Sequence, residues 1–164
     1  MRKLAFLASL AATLAVAIPA MAADPASVHV TVSEDLRFKV EELGERDVER
    51  QADRLAEVVQ RALAREGALE GARVDLVLTS LRPNRPTFQQ MVDRPGLDGH
   101  RSISIGGAAI EGQITLPDGQ VLPVRYDRFS NSISEVQGFT TWQDAERAYH
   151  RLASNLVAGR YVQR

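Results

Sequence analysis

The chain has 164 residues, no cysteine, 20 basic and 21 acidic side chains, and a formal net charge of −1. That length supports one hydrophobic core without covalent staples, and the lack of cysteine excludes disulfides, thiol nucleophiles and thiolate metal sites. The near-neutral balance leaves no electrostatic footprint for nucleic acid, which calls for a basic domain.

Arg2 and Lys3 open the chain. An apolar run from Leu4 to Ile18 follows, broken only by Ser9 and Thr13, and then Ala20-Met21-Ala22, with small residues at the two positions a signal peptidase reads. The pattern predicts a secretory leader over residues 1–22, cleavage after Ala22, and a periplasmic or secreted single domain over 23–164. The run is shorter than the ~20 residues that cross a bilayer, so no membrane span is expected. No cysteine follows it, so no lipid anchor is expected either. Beyond the leader, 17 of the 18 basic residues are arginine and Lys39 is the single lysine. Such a bias follows genome composition, which lowers the functional weight of any arginine cluster.

Val28, Val30 and Val32 alternate with Ser27, His29, Thr31 and Ser33, the pattern of a half-buried strand. Leu36, Phe38 and Val40 continue the alternation and suggest a short second strand. Asp47 is placed to cap a helix over about 48–66, in which Val48, Ala52, Leu55, Val59 and either Ala62 or Leu63 recur at helical spacing before Gly67. Its Glu57 and Arg61 form an i,i+4 pair, and its many charges read as a solvated face. Val74, Leu76 and Leu78 mark another strand, making a βαβ unit over 27–81 if the strands share a sheet.

Residues 82–100 carry three prolines and two glycines and read as a long loop without regular structure over most of its length. Arg82, Arg85, Arg94 and Arg101, with Phe88 and His100, are the candidate binding residues of this chain, an anion or peptide site of arginines beside apolar side chains. The competing reading is a surface loop pinned by Phe88 or Met91 tucked beneath it.

The segment Arg101–Asp127 reads as a long β-hairpin. Pro117-Asp118-Gly119 suits a three-residue turn, which sets Ile110 opposite Tyr126, Gly112 opposite Val124 and Ile114 opposite Leu122. Pro123 then belongs on an edge strand or at a non-bonded position. Apolar positions are odd at Ile103 and Ile105 and even from Ala108 onward, so a bulge is expected at Gly106-Gly107. Glu111 is expected to face Arg125 only diagonally, on the outer face. A second polar loop over 128–140 contains Phe129, Ile133, Val136 and Phe139, which suggest partial packing. Thr140 with Gln143 fits a capping box, with Thr141 an alternative cap, for a final helix over about 142–158, in which Trp142, Ala145, Tyr149, Leu152 and Leu156 form the apolar stripe. Trp142 and Tyr149 read as core anchors.

Chemistry-bearing patterns are sparse. His29, His100 and His150 sit in distant elements without metal-ligand spacing. There is no nucleophile elbow, phosphate loop or dinucleotide fingerprint. Asp98, His100 and Ser102 imitate a base and nucleophile only by adjacency. No catalytic residue, cofactor or metal is expected.

Gly106-Gly-Ala-x-Ile-x-Gly112, the following strand and glycine turn, the polar loop, and Thr141-Trp-x-Asp-Ala145 before an amphipathic helix resemble uncharacterised bacterial envelope proteins, many of them lipoproteins. The resemblance covers about residues 103–158. It implies a two-helix, one-sheet arrangement similar to small periplasmic adaptor domains that assist envelope assembly machines, and it carries no catalytic residues. Anchoring does not carry over, because the lipobox cysteine is missing.

The expectation is therefore an α+β domain, with four or five mostly antiparallel strands and two helices on one face, in the order β-(β)-α-β-β-β-α. The expected function is a non-catalytic binding or adaptor protein of the envelope, its partner another envelope protein or a second copy. The alternative is a small periplasmic enzyme with its site between loops 82–101 and 128–140.

Overall fold

The computed structural model describes residues 24–136 and 140–163; the expected leader and Phe139 lie outside them. Four strands form one mixed sheet in the order β1-β2-β3-β4: β1 (Ser27–Val32), β2 (Arg73–Arg82), β3 (Gly107–Thr115) and β4 (Val121–Phe129). β1 runs parallel to β2, and the remaining neighbours are antiparallel. Three short helices, α1 (Glu34–Arg37), α2 (Val40–Leu43) and α4 (Phe88–Asp93), accompany two long ones, α3 (Glu45–Glu66) and α5 (Gln143–Val157).

The second strand suggested after β1 is instead helical. Ser33 Oγ accepts from the Leu36 N–H at 3.2 Å and caps α1. Leu36, Val40 and Leu43 also fit an i, i+4, i+7 stripe, and Leu36 and Leu43 are buried while Phe38 is 83% exposed. Three apolar residues in alternation are too few to exclude the helical period.

α3 buries the stripe Val48, Ala52, Leu55 and Val59, closed by Leu63 rather than Ala62. It begins at Glu45, after Gly44, so Asp47 lies within its first turn and pairs with Arg50 rather than capping it. It ends at Gly67 in the left-handed conformation. α5 buries Ala145, Ala148, Tyr149, Leu152 and Leu156, and Trp142 precedes it in the core. α3 packs over β1 and against α5, which covers β3 and β4. Ile110, Ile114, Val124 and Tyr126 of the hairpin are buried beneath them. Each such large apolar side chain contributes about 1.5–3 kcal/mol by leaving water. The opposite face of the sheet carries His29, Asp75, Glu111, Gln113, Arg125 and Asp127, and no helix among the described residues covers it.

The hairpin has the predicted register, Ile110↔Tyr126, Gly112↔Val124 and Ile114↔Leu122, closed by Gly119 N–H donating to Leu116 O at 2.9 Å. That register places Glu111 directly opposite Arg125, not diagonally, with a 3.3 Å ion pair. The bulge expected at Gly106-Gly107 is absent. β3 begins at Gly107, residues 103–105 run outside the sheet, and the irregular register lies in β2 between Leu78 and Ser80. Gly107 has φ +148°, and a Cβ there would sit 2.2 Å from Arg128 O, so the backbone of β4 requires the bare glycine.

The two sheet edges differ. Pro123 lies opposite Gln113 on edge strand β4, with its nitrogen facing away from β3. Beyond it, Arg125 N–H donates to Tyr161 O and Gln163 N–H donates to Arg125 O, both at 2.9 Å, so the C-terminal tail covers this edge. β1 forms the other edge and, among the described residues, pairs with β2 alone.

Candidate functional site

The six candidate residues do not gather in one place. Arg82 closes β2, with its guanidinium 5.0 Å from the centre of the Phe129 ring. Arg94 follows α4 and pairs with Glu42 at 2.8 Å. Together with Lys39 they edge a cleft of about 410 Å³ floored by Leu43, Leu81, Leu97 and Ile105. Arg85 instead donates to the carbonyls of Gly99 and His100, holding the loop to itself. Phe88 is 74% exposed and lies in a different hollow, beside Trp142 and Arg50. It is therefore not tucked under the loop. Met91 comes closer to that role, with its sulfur against Gly99.

His100 and Arg101 are exposed. Their backbone N–H groups donate to the Asp98 carboxylate at 2.7 and 2.9 Å, which holds its pKa below the usual value. Ser102 Oγ accepts from the Asp98 N–H at 3.0 Å. Asp98, His100 and Ser102 thus close a turn and have no nucleophile–base geometry. The loop also contains α4, whose start is a capping box: Gln90 N–H donates to Thr87 Oγ1, and Thr87 N–H donates to Gln90 Oε1.

Loops 82–101 and 128–140 do meet at a buried polar cluster. Asn84 is fully buried and Asp144 is 4% exposed. Asn84 Nδ2 donates to Asp144 Oδ2 at 2.6 Å and to Ser104 O at 3.3 Å. Its Oδ1 accepts from Asp144 N–H at 2.8 Å, and its backbone bonds Thr141 and Ser104. Ser130 Oγ and Arg147 Nη1 also donate to Asp144, at 2.7 and 3.1 Å. Each polar group of Asn84 is spent on joining β2, the 103–105 segment and α5. Neither side chain lines the clefts above, so the cluster acts as a clasp. Gly106 lets it form, since a Cβ there would lie 2.5–2.6 Å from the Asn84 amide.

The third feature was not singled out by sequence reasoning. The odd-numbered residues of β1 turn their backbone toward β2: Ser27 N–H donates to Ala72 O, and Ser33 N–H donates to Leu78 O. The even-numbered ones therefore turn theirs to the free edge. Gln60 of α3 covers the beginning of that edge, accepting from Val28 N–H at 3.1 Å and donating to Ala26 O at 2.6 Å. Past Gln60, Val30 and Val32 face a cleft of about 1050 Å³ whose other wall is α2 and α3. Val40, Val48 and Ala52 form its apolar floor, and Glu41, Glu45, Glu49 and Asp53 stand along its rim. The signal lay in the sequence as acidic residues four apart, but periodic charge on a helix reads first as a solvated face.

Among the described residues, no three His, Asp or Glu side chains gather as a metal site, and no helix is long and apolar enough to cross a membrane. No protein-family model matches the chain, and no curated protein matches it.

Proposed function

We propose that the chain is an exported, non-catalytic binding or adaptor protein of the cell envelope, and that it takes its partner by strand addition at β1. The observation that carries this reading is the contrast between the edges. β4 is protected by Pro123 and the tail, whereas the C-terminal half of β1 offers backbone groups that are unpaired among the described residues, beside a cleft of about 1050 Å³. Open edges are ordinarily blunted, and one left accessible next to a groove suits an extended peptide. The leader pattern of residues 1–22 supports export, and the resemblance over 103–158 agrees with an adaptor role.

Capture from an envelope extract tests the reading. Val30→Pro removes an outward N–H and leaves the β1–β2 ladder intact. A protein retained by the native chain and lost with Val30→Pro is the expected result. Identical captured sets for the two chains would overturn strand addition.

A further inference from the structure

Resting on the reading of β1 as a docking edge, we infer that the occupant is an extended segment of a partner protein carrying lysine or arginine at alternate positions. The groove supplies three independent requirements of such a ligand. Val30 and Val32 present backbone donors and acceptors along one wall, Val40, Val48 and Ala52 present an apolar floor, and the far rim is acidic. Glu41, Glu45, Glu49 and Asp53 are exposed, and none forms an ion pair among the described residues. Their neighbours are paired in this arginine-rich chain: Asp47 with Arg50, Glu57 with Arg54 and Arg61, Glu42 with Arg94. Among the described residues, Arg37 is the single cation on the groove's lining.

The spacing also matches. Gln60 reaches the start of β1, while Val48 and Glu49 lie beside its end, so α3 runs back along the strand. Carboxylates four residues apart repeat every ~6 Å along a helix, and same-face side chains of a strand repeat every ~6.6–6.8 Å. An added strand lies ~4.8 Å outside β1. Its helix-facing side chains would meet Glu45, Glu49 and Asp53 in succession, and its other side chains would join the open outer face of the sheet. A second copy of this chain fits poorly, since β1 itself, Ser-Val-His-Val-Thr-Val, brings neither lysine nor arginine.

The test is fluorescence anisotropy with the whole protein and labelled decapeptides. The expected result is that an alternating lysine–valine peptide binds, and that an alternating glutamate–valine peptide binds at least tenfold more weakly. E45Q/E49Q/D53N, whose three sites are exposed and leave the core untouched, should weaken the lysine peptide at least tenfold. Val30→Pro, or N-methylation of one alternate set of peptide nitrogens, should abolish its binding. If an alternating serine–valine peptide binds as well as the lysine peptide and is still lost with Val30→Pro, the edge is a docking site but the basic partner is wrong. If no peptide binds and Val30→Pro changes nothing in envelope capture, the strand-addition reading falls as well. A dimer seen by light scattering and dissolved by Val30→Pro would assign the edge to a second copy and overturn the inference.

Discussion

Asn84 and Asp144 stand 60 positions apart and exchange two hydrogen bonds, 2.6 Å from amide to carboxylate and 2.8 Å from backbone N–H to amide oxygen. The second bond makes Asn84 the cap of α5, supplied from the end of β2. Removing it leaves a carboxylate nearly buried with a lost donor. Asn84→Ala is expected to destabilise the fold by about 3 kcal/mol, in the range for breaking a buried, charge-assisted bond. Asn84→Asp sets two carboxylates together and should cost more at neutral pH, with part of the loss recovered on acidification. Urea unfolding of the two variants at neutral and acidic pH checks both statements.

This clasp also marks where the sequence stops being legible. Residues whose role is set by their neighbours in the chain were readable: Val28, Val30 and Val32, the α3 stripe, and the hairpin turn that fixes Ile114 against Leu122. Caps supplied from afar were not. Thr140 and Gln143 have capping-box spacing, yet the N-cap position falls to Trp142 without a side-chain cap bond, because Asn84 fills that role. The candidate arginines are divided between places for the same reason. Adjacent positions in an irregular loop share no face, so Arg85 turns onto the loop carbonyls while Arg82 and Arg94 reach a cleft. The acidic rim of the β1 groove needed the pairing of β1 with β2 to become visible, since only that pairing identifies a free edge.

Tyr149 is completely buried, and its hydroxyl has no hydrogen-bond partner among the described residues. Tyr149→Phe is therefore expected to be neutral or to stabilise by up to about 1 kcal/mol. Burial pushes the phenol far above its ordinary range, with Glu146 adding to the effect. The sign follows: above about pH 10 the unfolded phenol loses its proton while the folded one retains it, so stability falls as pH rises. The contribution is about 1.4 kcal/mol per pH unit in that window, fully absent below it. The difference between the denaturation midpoints of the native chain and Tyr149→Phe should be constant at neutral pH and widen only on the alkaline side.

Gly107 and Gly119 both have positive φ, but their surroundings differ. A Cβ at Gly107 meets Arg128 O at 2.2 Å and Phe129 Cα at 2.7 Å, whereas at Gly119 it meets nothing within 4 Å. Gly119→Ala should cost only the left-handed conformation, about 1–2 kcal/mol. Gly107→Ala must also part β3 from β4 and should cost about 3 kcal/mol or more. Thermal unfolding of the pair is the check, and equal losses would show that the approach of β4 is not what requires the glycine.

The leader pattern makes a covalent prediction. Material exported to the periplasm or medium should begin at Ala23, and replacing Ala20 and Ala22 with bulky residues should leave the precursor uncut. Amino-terminal sequencing or intact mass decides it. An exported chain that retains residues 1–22 would contradict the reading of the apolar run as a cleaved signal.

Gln60 sets how much of β1 is open. Its amide imitates one residue of a neighbouring strand, taking Val28 N–H and giving a hydrogen to Ala26 O. Gln60→Ala should release both groups to water and cost about 1 kcal/mol, the worth of an ordinary bond pair at a half-buried edge. Hydrogen exchange at Val28 should accelerate. Gln60→Glu keeps an acceptor for Val28 but sets a carboxylate against the Ala26 carbonyl, so exchange at Val28 should stay slow while stability falls. The same Gln60→Ala change lengthens the free edge toward the N-terminal end of β1. Peptides that dock there should then bind tighter in longer versions, which the native chain does not distinguish. Unchanged exchange at Val28 in Gln60→Ala would mean that the amide touches the edge without protecting it.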